Sequence, residues 1–406
     1  MLTSTALIGT FAVCFVYLVH QWRIPRTRPT NSTHDQLDIK KEVNTVRQTI
    51  DFTYANSPSL EQRLALRAQP NQRLVSAFGV TNSLTTSSPE VHRKFLTLAS
   101  TIINARRPNA QGLDTRWLDL YSTATTLLRQ DLTTATTLPL ASTIQRLCLT
   151  VVLQDNFSLP LPSLPASTIL TIAHEINTQW VLSKCNPSTP LSSTLDSALR
   201  SLPLPMSPSE ALSLIMPQYE TLWRVVLLTF ITAYHTQFSS SIASMTASVP
   251  GCLGTKSEEE NKALRIAEEG LRLYPSNKTI YRAAVDFGGV VAADVQGLHR
   301  REEIWGMDAL RFRPERFGAL TEVQRRAYVP YSIGRHRCPA YGGFGNRMIA
   351  MLVVALGREM GRDRGKVRFE RGDGGLEGEE KGVGVLPTGR EDMEGWVFER
   401  VPEGEA

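Results

Sequence analysis

The sequence contains little cysteine: five residues in 406, odd in number and widely scattered, at Cys14, Cys148, Cys185, Cys252 and Cys338. This distribution excludes a disulfide framework and indicates a reducing compartment. Zinc-ligand spacing and RNA-binding signatures are missing too. The formal net charge of +5 is modest, so nucleic acid is not a predicted partner.

Nucleotide-binding glycine patterns are also missing. The glycines near Gly342 and Gly372 do not open a helix after a strand, as a flavin or nicotinamide fingerprint requires. The chain therefore carries no recognisable dinucleotide site. What is present is a hydrophobic fraction of 42%, which is ample for a large core.

The first 22 residues lack Asp, Glu, Lys and Arg. Leu2–Val19 is mostly apolar, and roughly 20 such residues span a hydrocarbon core of about 30 Å. Arg23, Arg26 and Arg28 follow, which places the body of the protein on the cytoplasmic side. The alternative is a cleaved signal peptide, but its basic n-region is missing and no clear small-x-small cleavage site precedes Arg23.

These features predict three parts. Residues 1–22 form a single transmembrane anchor, residues 23–55 form a linker and an N-terminal helix, and residues 56–406 form the functional domain. An amphipathic helical pattern runs from Leu37 to about Arg67. Short strands are predicted near the C-terminus at Val383–Leu386 and Trp396–Phe398.

The stretch Tyr331–Ala340 holds Cys338 behind a glycine turn and between basic residues. Arg335, Arg337 and the N-terminus of a following helix, from about Gly342 to Gly357, would stabilise a thiolate. A thiolate at neutral pH is a ligand for a soft metal. The alternative is a buried or exposed cysteine in a basic loop without a function.

This decapeptide resembles the haem-binding loop of the cytochrome P-450 family, F-x-x-G-x-R/H-x-C-x-G/A. The resemblance places Tyr331 at the aromatic position, Gly334 at the turn, His336 at the haem-propionate position and Cys338 at the iron ligand. Tyr331, His336 and Ala340 differ from the commonest family residues.

Two further motifs carry the resemblance. Glu269-x-x-Arg272 is followed by L-Y-P, similar to the family's E-x-x-R-L-x-P. His299–Phe317 resembles the family's H-x-x-x-x-x-W-G-x-D-A-x-x-F-x-P-E-R-F segment. The resemblance implies that Arg316 completes a structural triad with Glu269 and Arg272, and that Arg282 holds a propionate.

Ser207 opens a long apolar helix that contains Glu220 and Thr221. In the family, the distal helix carries an acid–alcohol pair that delivers protons, and only Glu220 and Thr221 match that motif here. Pro217 and Gln218 replace its small residues. The alternative is an ion pair between Glu220 and Arg224 on one face of the helix.

A weaker likeness covers residues 77–99, which resemble the loop and helix beside the haem in fungal members. His92 and Arg93 would reach a propionate there, although the family's W-x-x-x-R motif is not recognisable. The alternative is a charged helix start after Ser87-Ser88-Pro89. Elsewhere, His174 lies in a helical stripe and is expected to be structural.

The resemblance implies a mainly α fold with a smaller β region and a haem cofactor held by Cys338. The expected activity is a monooxygenase of fungal microsomal type, acting on a lipophilic, secondary-metabolite-like small molecule. Its electrons would come from an NADPH-dependent flavoprotein reductase. The expected location is the endoplasmic reticulum membrane, with the catalytic domain cytoplasmic.

A basic docking face for the reductase is predicted at Arg325, Arg326, Arg335 and Arg337, although solvated surface arginines would give the same pattern. Two alternatives to reductase-driven oxygenation stay open. One is peroxide or rearrangement chemistry without a reductase, which the altered Pro217-Gln218 pair favours. The other is a shortened, non-catalytic haem-binding relative.

Overall fold

A computed structural model describes residues 33–56, 58–107, 114–236, 253–286, 288–370 and 384–401. The predicted anchor at residues 1–22 lies outside these ranges. None of the described helices has the length and apolarity to cross a membrane. The chain divides into Met1–Ile39, described only in the first turns of helix α1, and Lys40–Ala406.

The second unit is mainly helical with two small sheets, as predicted. In chain order the helices are α1 (Thr33–Ile50), α2 (Leu60–Ala68), α3 (Gln72–Phe78), α4 (Pro89–Asn104), α5 (Arg116–Thr134), α6 (Leu140–Phe157), α7 (Ala166–Cys185), α8 (Ser193–Arg200), α9 (Pro208–Tyr234), α10 (Glu258–Leu273), α11 (Val295–Arg300), α12 (Glu302–Trp305), α13 (Glu322–Ala327), α14 (Phe344–Glu359) and α15 (Arg390–Glu394). The strands are β1 (Thr137–Pro139), β2 (Thr279–Ala283), β3 (Val290–Asp294), β4 (Gly365–Phe369) and β5 (Trp396–Arg400).

The core is a group of packed helices in which α9 contacts α6, α10 and α14, and α5 contacts α6 and α14. Helix α9 begins as predicted: Ser207 and Glu210 form a capping box, and Pro208 occupies the first turn. The helix is buried along most of its length because its apolar residues cover more than one face.

Helices α9 and α10 approach each other closely at Gly270. A Cβ atom at that position would lie 2.1 Å from the Thr229 hydroxyl oxygen. Glycine therefore allows the helix that carries Glu269 and Arg272 to lie directly against α9.

Strands β1, β5 and β4 form an antiparallel sheet in that order, and β2 pairs with β3 in a separate hairpin. The predicted strand at Trp396–Phe398 is confirmed within β5. The prediction at Val383–Leu386 is wrong for its described part, residues 384–386, which is irregular. Its place beside β5 is taken by β4, where Val367 is paired with Phe398.

The helical pattern predicted from Leu37 to Arg67 is also interrupted. Residues 51–59 separate α1 from α2, and Phe52 and Asn56 adopt left-handed backbone conformations in this break. Phe52 is fully buried. Burial of its ring compensates for a backbone conformation that non-glycine residues rarely adopt.

Candidate functional site: the Cys338 loop and its cation cluster

The Cys338 loop is held by backbone hydrogen bonds on both sides of the cysteine. The Cys338 amide donates to the Tyr331 carbonyl over 2.8 Å, and the Tyr341 amide donates to the Cys338 carbonyl over 3.0 Å. The Tyr331 hydroxyl donates to Asn346 Oδ1 over 2.7 Å, which ties the loop to the first turns of α14. The aromatic residue and the cysteine of the motif are thus in direct contact through the backbone.

Gly334 is required at the turn for two reasons. Its φ of +66° lies in the left-handed region, and a Cβ atom there would lie only 1.6 Å from Asp51 Oδ1. A side chain at this position would push the loop away from the segment after α1. The glycine of the motif therefore fixes the position of the cysteine relative to the N-terminal helices.

Cys338 is an exposed residue. Surrounding protein nevertheless desolvates its thiol and raises the pKa of that thiol. The amides of Ala340 and Tyr341 and the charge of Arg67 act in the opposite direction and lower the pKa.

The expectation that Arg335 and Arg337 stabilise the thiolate is not met, because both are exposed and the arginine whose field reaches the sulfur is Arg67. The Arg337 guanidinium instead lies 4.0 Å from the centroid of the Tyr341 ring. The arginines next to Cys338 in the sequence are thus directed to the surface, whereas Arg67, from the distant helix α2, is close enough to act on the thiol.

Near the thiol lies a group of basic side chains that we call the cation cluster: Arg63, Arg67, His92, Arg282 and His336. Arg63 Nε donates to His336 Nε2 over 3.3 Å, and the rings of His92 and His336 are 5.4 Å apart. His92, Arg282 and His336 are buried. The side chains come from α2, α4, β2 and the cysteine loop.

Phe52 is the apolar support of the cation cluster. Its ring lies 5.2 Å from the His336 ring, and the Arg282 guanidinium lies 4.6 Å from its centroid. A cation over an aromatic face gains electrostatic attraction. The break between α1 and α2 thus supplies the residue that contacts two of the predicted propionate contacts, Arg282 and His336.

Burial and mutual repulsion govern the protonation of the cluster. They lower the pKa of His336 to about 3, and that of Arg282 to about 9. Burial lowers the pKa of Arg67 to about 10. Burial and the charges of Arg67 and Arg63 also lower the pKa of His92.

Compensating negative charge is scarce in the cluster. Among the residues that the structure describes, no carboxylate forms an ion pair with Arg63, Arg67 or Arg282. Two buried donor positions, Arg282 Nε and His336 Nδ1, have no hydrogen-bond partner in that same part of the chain. Buried polar atoms without partners carry a free-energy cost unless a ligand satisfies them. The two carboxylates of a haem fit this set of donors.

The cluster contains the predicted His92, Arg282 and His336, but not Arg93, which is exposed. Sequence reasoning missed Arg63 and Arg67. The available signal was their spacing, since residues four apart lie on one face of a helix. That spacing does not indicate which part of the protein the two arginines would contact.

The predicted triad of Glu269, Arg272 and Arg316 is confirmed. Arg272 donates through two nitrogens to the Glu269 carboxylate, each over 2.7 Å, and Arg316 Nε donates over 3.1 Å. Arg272 also donates to the carbonyls of His299 and Ala309. The His299 ring accepts from the Val329 amide over 3.0 Å, just before the cysteine loop. The triad thus anchors the entry to that loop.

Glu220 and Thr221 form their contacts elsewhere on α9. The Glu220 carboxylate accepts from Arg390 and lies 3.6 Å from Arg224 Nε. The Thr221 hydroxyl donates to the carbonyls of Pro217 and Gln218, each over 3.3 Å. These contacts favour the ion-pair interpretation of Glu220, and the proton-delivery role stays a prediction. His174 contacts Thr178 on its own helix, at 3.5 Å.

The comparisons with known proteins show similarity to the cytochrome P450 family. The family model for Cytochrome P450 matches residues 269–343. A cytokinin hydroxylase from Arabidopsis thaliana is 26% identical over 148 residues, which are 33% of this chain and 28% of the relative. Benzoate 4-monooxygenase bphA from Aspergillus niger is 43% identical over 53 residues, 13% of this chain and 10% of the relative.

Solved structures extend the likeness beyond the matched segment. A crystal structure of a cytochrome P450 OleT variant in complex with arachidonic acid covers 82% of this chain and 83% of its own, with a TM-score of 0.52 and 15% sequence identity. At that identity the likeness concerns the fold.

Sequence matches and fold together support the cytochrome P450 family. The matched segments span less than a third of the lengths of these two curated relatives. These matches imply a haem cofactor, and the cation cluster beside Cys338 is suited to one.

Proposed function

We propose that the protein is a haem-thiolate monooxygenase that inserts one atom of O2 into a small molecule with a lipophilic body. The observation that carries this proposal is the exposed Cys338 beside the cation cluster, whose arginines Arg63, Arg67 and Arg282 form no ion pair with a described carboxylate. A haem bound through a thiolate supplies oxygen chemistry, because the thiolate favours O–O cleavage.

The residues around the thiol would each perform a distinct task. Cys338 would ligate the iron, and the amides of Ala340 and Tyr341 would hold the negative charge of its sulfur. Arg282 and His336 would donate to the haem carboxylates through their unpartnered nitrogens. Arg63 and Arg67 would neutralise the remaining charge.

Electrons would come from an NADPH-dependent flavoprotein reductase, because no dinucleotide fingerprint was found in the sequence. Arg325, Arg326, Arg335 and Arg337 are all exposed. They would form a basic face for an acidic partner. We further propose that residues 1–22 anchor the protein in the endoplasmic reticulum membrane, from their lack of charge and the arginines that follow.

Thr221 and Glu220 would deliver protons in this scheme. A second candidate is the same fold acting on a peroxide or in a rearrangement, without a reductase. The contacts of α9 favour it, because the Glu220 carboxylate is engaged by Arg390 and the Thr221 hydroxyl by its own helix backbone. A carboxylate held in that way is less free to pass protons.

The test of the proposed function is the visible spectrum of the reduced protein under carbon monoxide. We expect the red-shifted band that thiolate ligation gives, and its loss in Cys338→Ser. Cys185→Ser is the matched control because Cys185 is an exposed, free cysteine at the end of α7. Properly folded protein that binds no haem would overturn the proposal and favour a non-catalytic relative.

Thr221→Ala separates the two candidates once haem binding is established. Loss of coupling in reductase-driven turnover, with peroxide-driven turnover kept, supports proton delivery by Thr221. Unchanged coupling in the reductase-driven reaction contradicts that role. Turnover with peroxide alone in the parent protein favours the second candidate.

A further inference from the structure

A second group of basic side chains surrounds Glu220, and we call it the Glu220 cluster: Arg73, Lys184, Arg224, Lys278 and Arg390 with Glu220 itself. Glu220 is buried, with 2% of its surface exposed. Its carboxylate accepts from Arg390, and Arg224 Nε lies 3.6 Å from it. Arg390 also donates to Asn177 on α7.

Two tryptophans form the apolar walls of the Glu220 cluster. The Trp180 ring has the Arg73 guanidinium 4.5 Å from its centroid and the Arg390 guanidinium 5.7 Å away. Arg390 also lies 5.7 Å from the centroid of the Trp223 ring. The guanidinium of Arg390 is thus held near two rings and one carboxylate, which fixes its position.

Positive charge exceeds negative charge in this cluster. Five cations are within electrostatic reach of two carboxylates, Glu220 and Asp392. Burial and the neighbouring arginines lower the pKa of Lys278 to about 8 and also lower that of Lys184. Burial is the larger cause of both shifts, and the neighbouring arginines add to it.

Three buried polar atoms here have no hydrogen-bond partner among the described residues: Trp223 Nε1, Gln296 Nε2 and Glu220 Oε2. Trp223 is 1% exposed. Arg224, Lys278 and Gln296 line a cavity of about 10 Å³, roughly the space of one water molecule. Trp223 Nε1 and Gln296 Nε2 are unused donors, whereas Glu220 Oε2 is an unused acceptor. Two donors and an excess of positive charge are thus left unbalanced.

We propose that the Glu220 cluster binds an anionic head group, a carboxylate or a phosphate, so that the substrate is an amphipathic acid and not a neutral lipid. This inference rests on the proposed function. The resemblance to the family makes α9 the distal helix, which faces the substrate. The segment α2–α3 connects the two sites, because Arg67 belongs to the cation cluster and Arg73 to the Glu220 cluster.

The role of Glu220 follows from this arrangement. One buried acid among five cations holds Arg224 and Arg390 in place and leaves net positive charge for a ligand. Lys184 is exposed and Lys278 is half-buried. Lys278 Nζ donates to the Thr388 carbonyl over 2.9 Å, and neither lysine has an ion pair among the described residues. Their ammonium groups therefore keep donor hydrogens that a bound anion would accept.

The experiment is a titration of the haem-loaded protein with octanoate, octanamide and octyl phosphate. Calorimetry and the optical shift of the haem measure the binding of each compound. We expect octanoate or octyl phosphate to bind about tenfold more tightly than octanamide. A partly buried charge pair changes a dissociation constant by a factor on the order of ten. The tighter of the two anions identifies the head group.

Variants locate the binding. Lys184→Gln and Lys278→Gln should each weaken anion binding about threefold to tenfold and leave octanamide unchanged. Lys366→Gln is the matched control because Lys366 is exposed on β4 and outside the cluster. Equal affinity for octanoate, octyl phosphate and octanamide would overturn the inference, as would anion binding that neither cluster variant weakens.

A failure of the anion site can be distinguished from a failure of the proposed function. Haem content and the carbon monoxide spectrum are measured on the same samples. A normal spectrum with no preference for the anions overturns only the anion site. Calorimetric anion binding without thiolate-ligated haem overturns the proposed monooxygenase and keeps the cluster as an anion site.

Discussion

Two buried charge clusters adjoin the Cys338 loop, and they differ in how their charge is balanced. In the triad, the Glu269 carboxylate accepts from Arg272, Arg316 and the Arg313 amide. In the cation cluster, Arg282 Nε and His336 Nδ1 have no partner among the described residues. The first cluster is satisfied within the fold and the second is not.

The difference separates a structural role from a binding role. Removing one partner of a buried, satisfied ion pair leaves an uncompensated charge, so such a pair resists change. A buried set of like charges without partners costs free energy until an anion arrives. The same residue type, arginine, therefore stabilises the fold at position 272 and, under the proposed function, would prepare a ligand site at position 282.

The largest effect is expected from breaking the triad. Glu269→Gln should lower the free energy of unfolding by about 3–5 kcal/mol, because it leaves Arg272 buried without its counter-charge. Urea denaturation measures the change. Glu259→Gln, at an exposed position on the same helix, should unfold like the parent. Unfolding of Glu269→Gln at the parent's midpoint would contradict the structural role.

Removal of a charge from the cation cluster should affect the cofactor-free and the haem-bound protein in opposite directions. Arg282→Gln should leave the cofactor-free protein as stable as the parent or more stable, because it relieves repulsion. It should weaken haem binding about tenfold to hundredfold, the range of one charged hydrogen bond. Haem titration and thermal unfolding measure both.

Arg93→Gln is the control for that comparison, since Arg93 is exposed and adjacent to His92. It should change neither haem affinity nor stability. A haem affinity in Arg282→Gln equal to that of the parent would remove Arg282 from the binding role.

The pH dependence of stability should also differ between the cofactor-free and the haem-bound protein. The pKa of His336 and that of His299 are both lowered from 6.5 to about 3 in the fold. Between these values the unfolded chain binds protons that the folded chain does not, so stability falls as pH falls. Each histidine contributes up to about tenfold in the unfolding constant per pH unit.

Urea midpoints between pH 7 and pH 4 test this expectation in the cofactor-free protein. His336→Gln should reduce the slope and keep the contribution of His299. Bound haem should also reduce it, since neighbouring carboxylates would raise the pKa of His336. A slope unaffected by His336→Gln would show that this histidine is protonated equally in both states.

The smallest effect is expected from the exposed arginines, which neither cluster contains. Arg325→Gln or Arg335→Gln should slow electron transfer from the reductase about twofold to threefold at low salt. The difference should disappear near 0.5 M salt, because screening acts on exposed charges. Stopped-flow reduction measures it. A loss independent of salt would point to a contact other than steering.

Several features could be predicted from local pattern. Ser207, Pro208 and Glu210 mark the start of α9 because capping depends on residues within one turn. Glu269 and Arg272 are three apart on a helix and must be neighbours. In contrast, the break at Phe52 and the strand β4 depend on burial against distant parts of the chain, and local propensity did not indicate them.

The sequence by itself determined the cysteine loop, the residues of the triad and the start of the long helix, because each is written in a short motif whose geometry is local. Only the tertiary structure decided which cations reach the thiol. Arg63 and Arg67 come from α2, far from Cys338 in the chain, while the adjacent Arg335 and Arg337 point outward. Electrostatic interactions depend on distance in space and on burial, and neither quantity follows from separation along the chain.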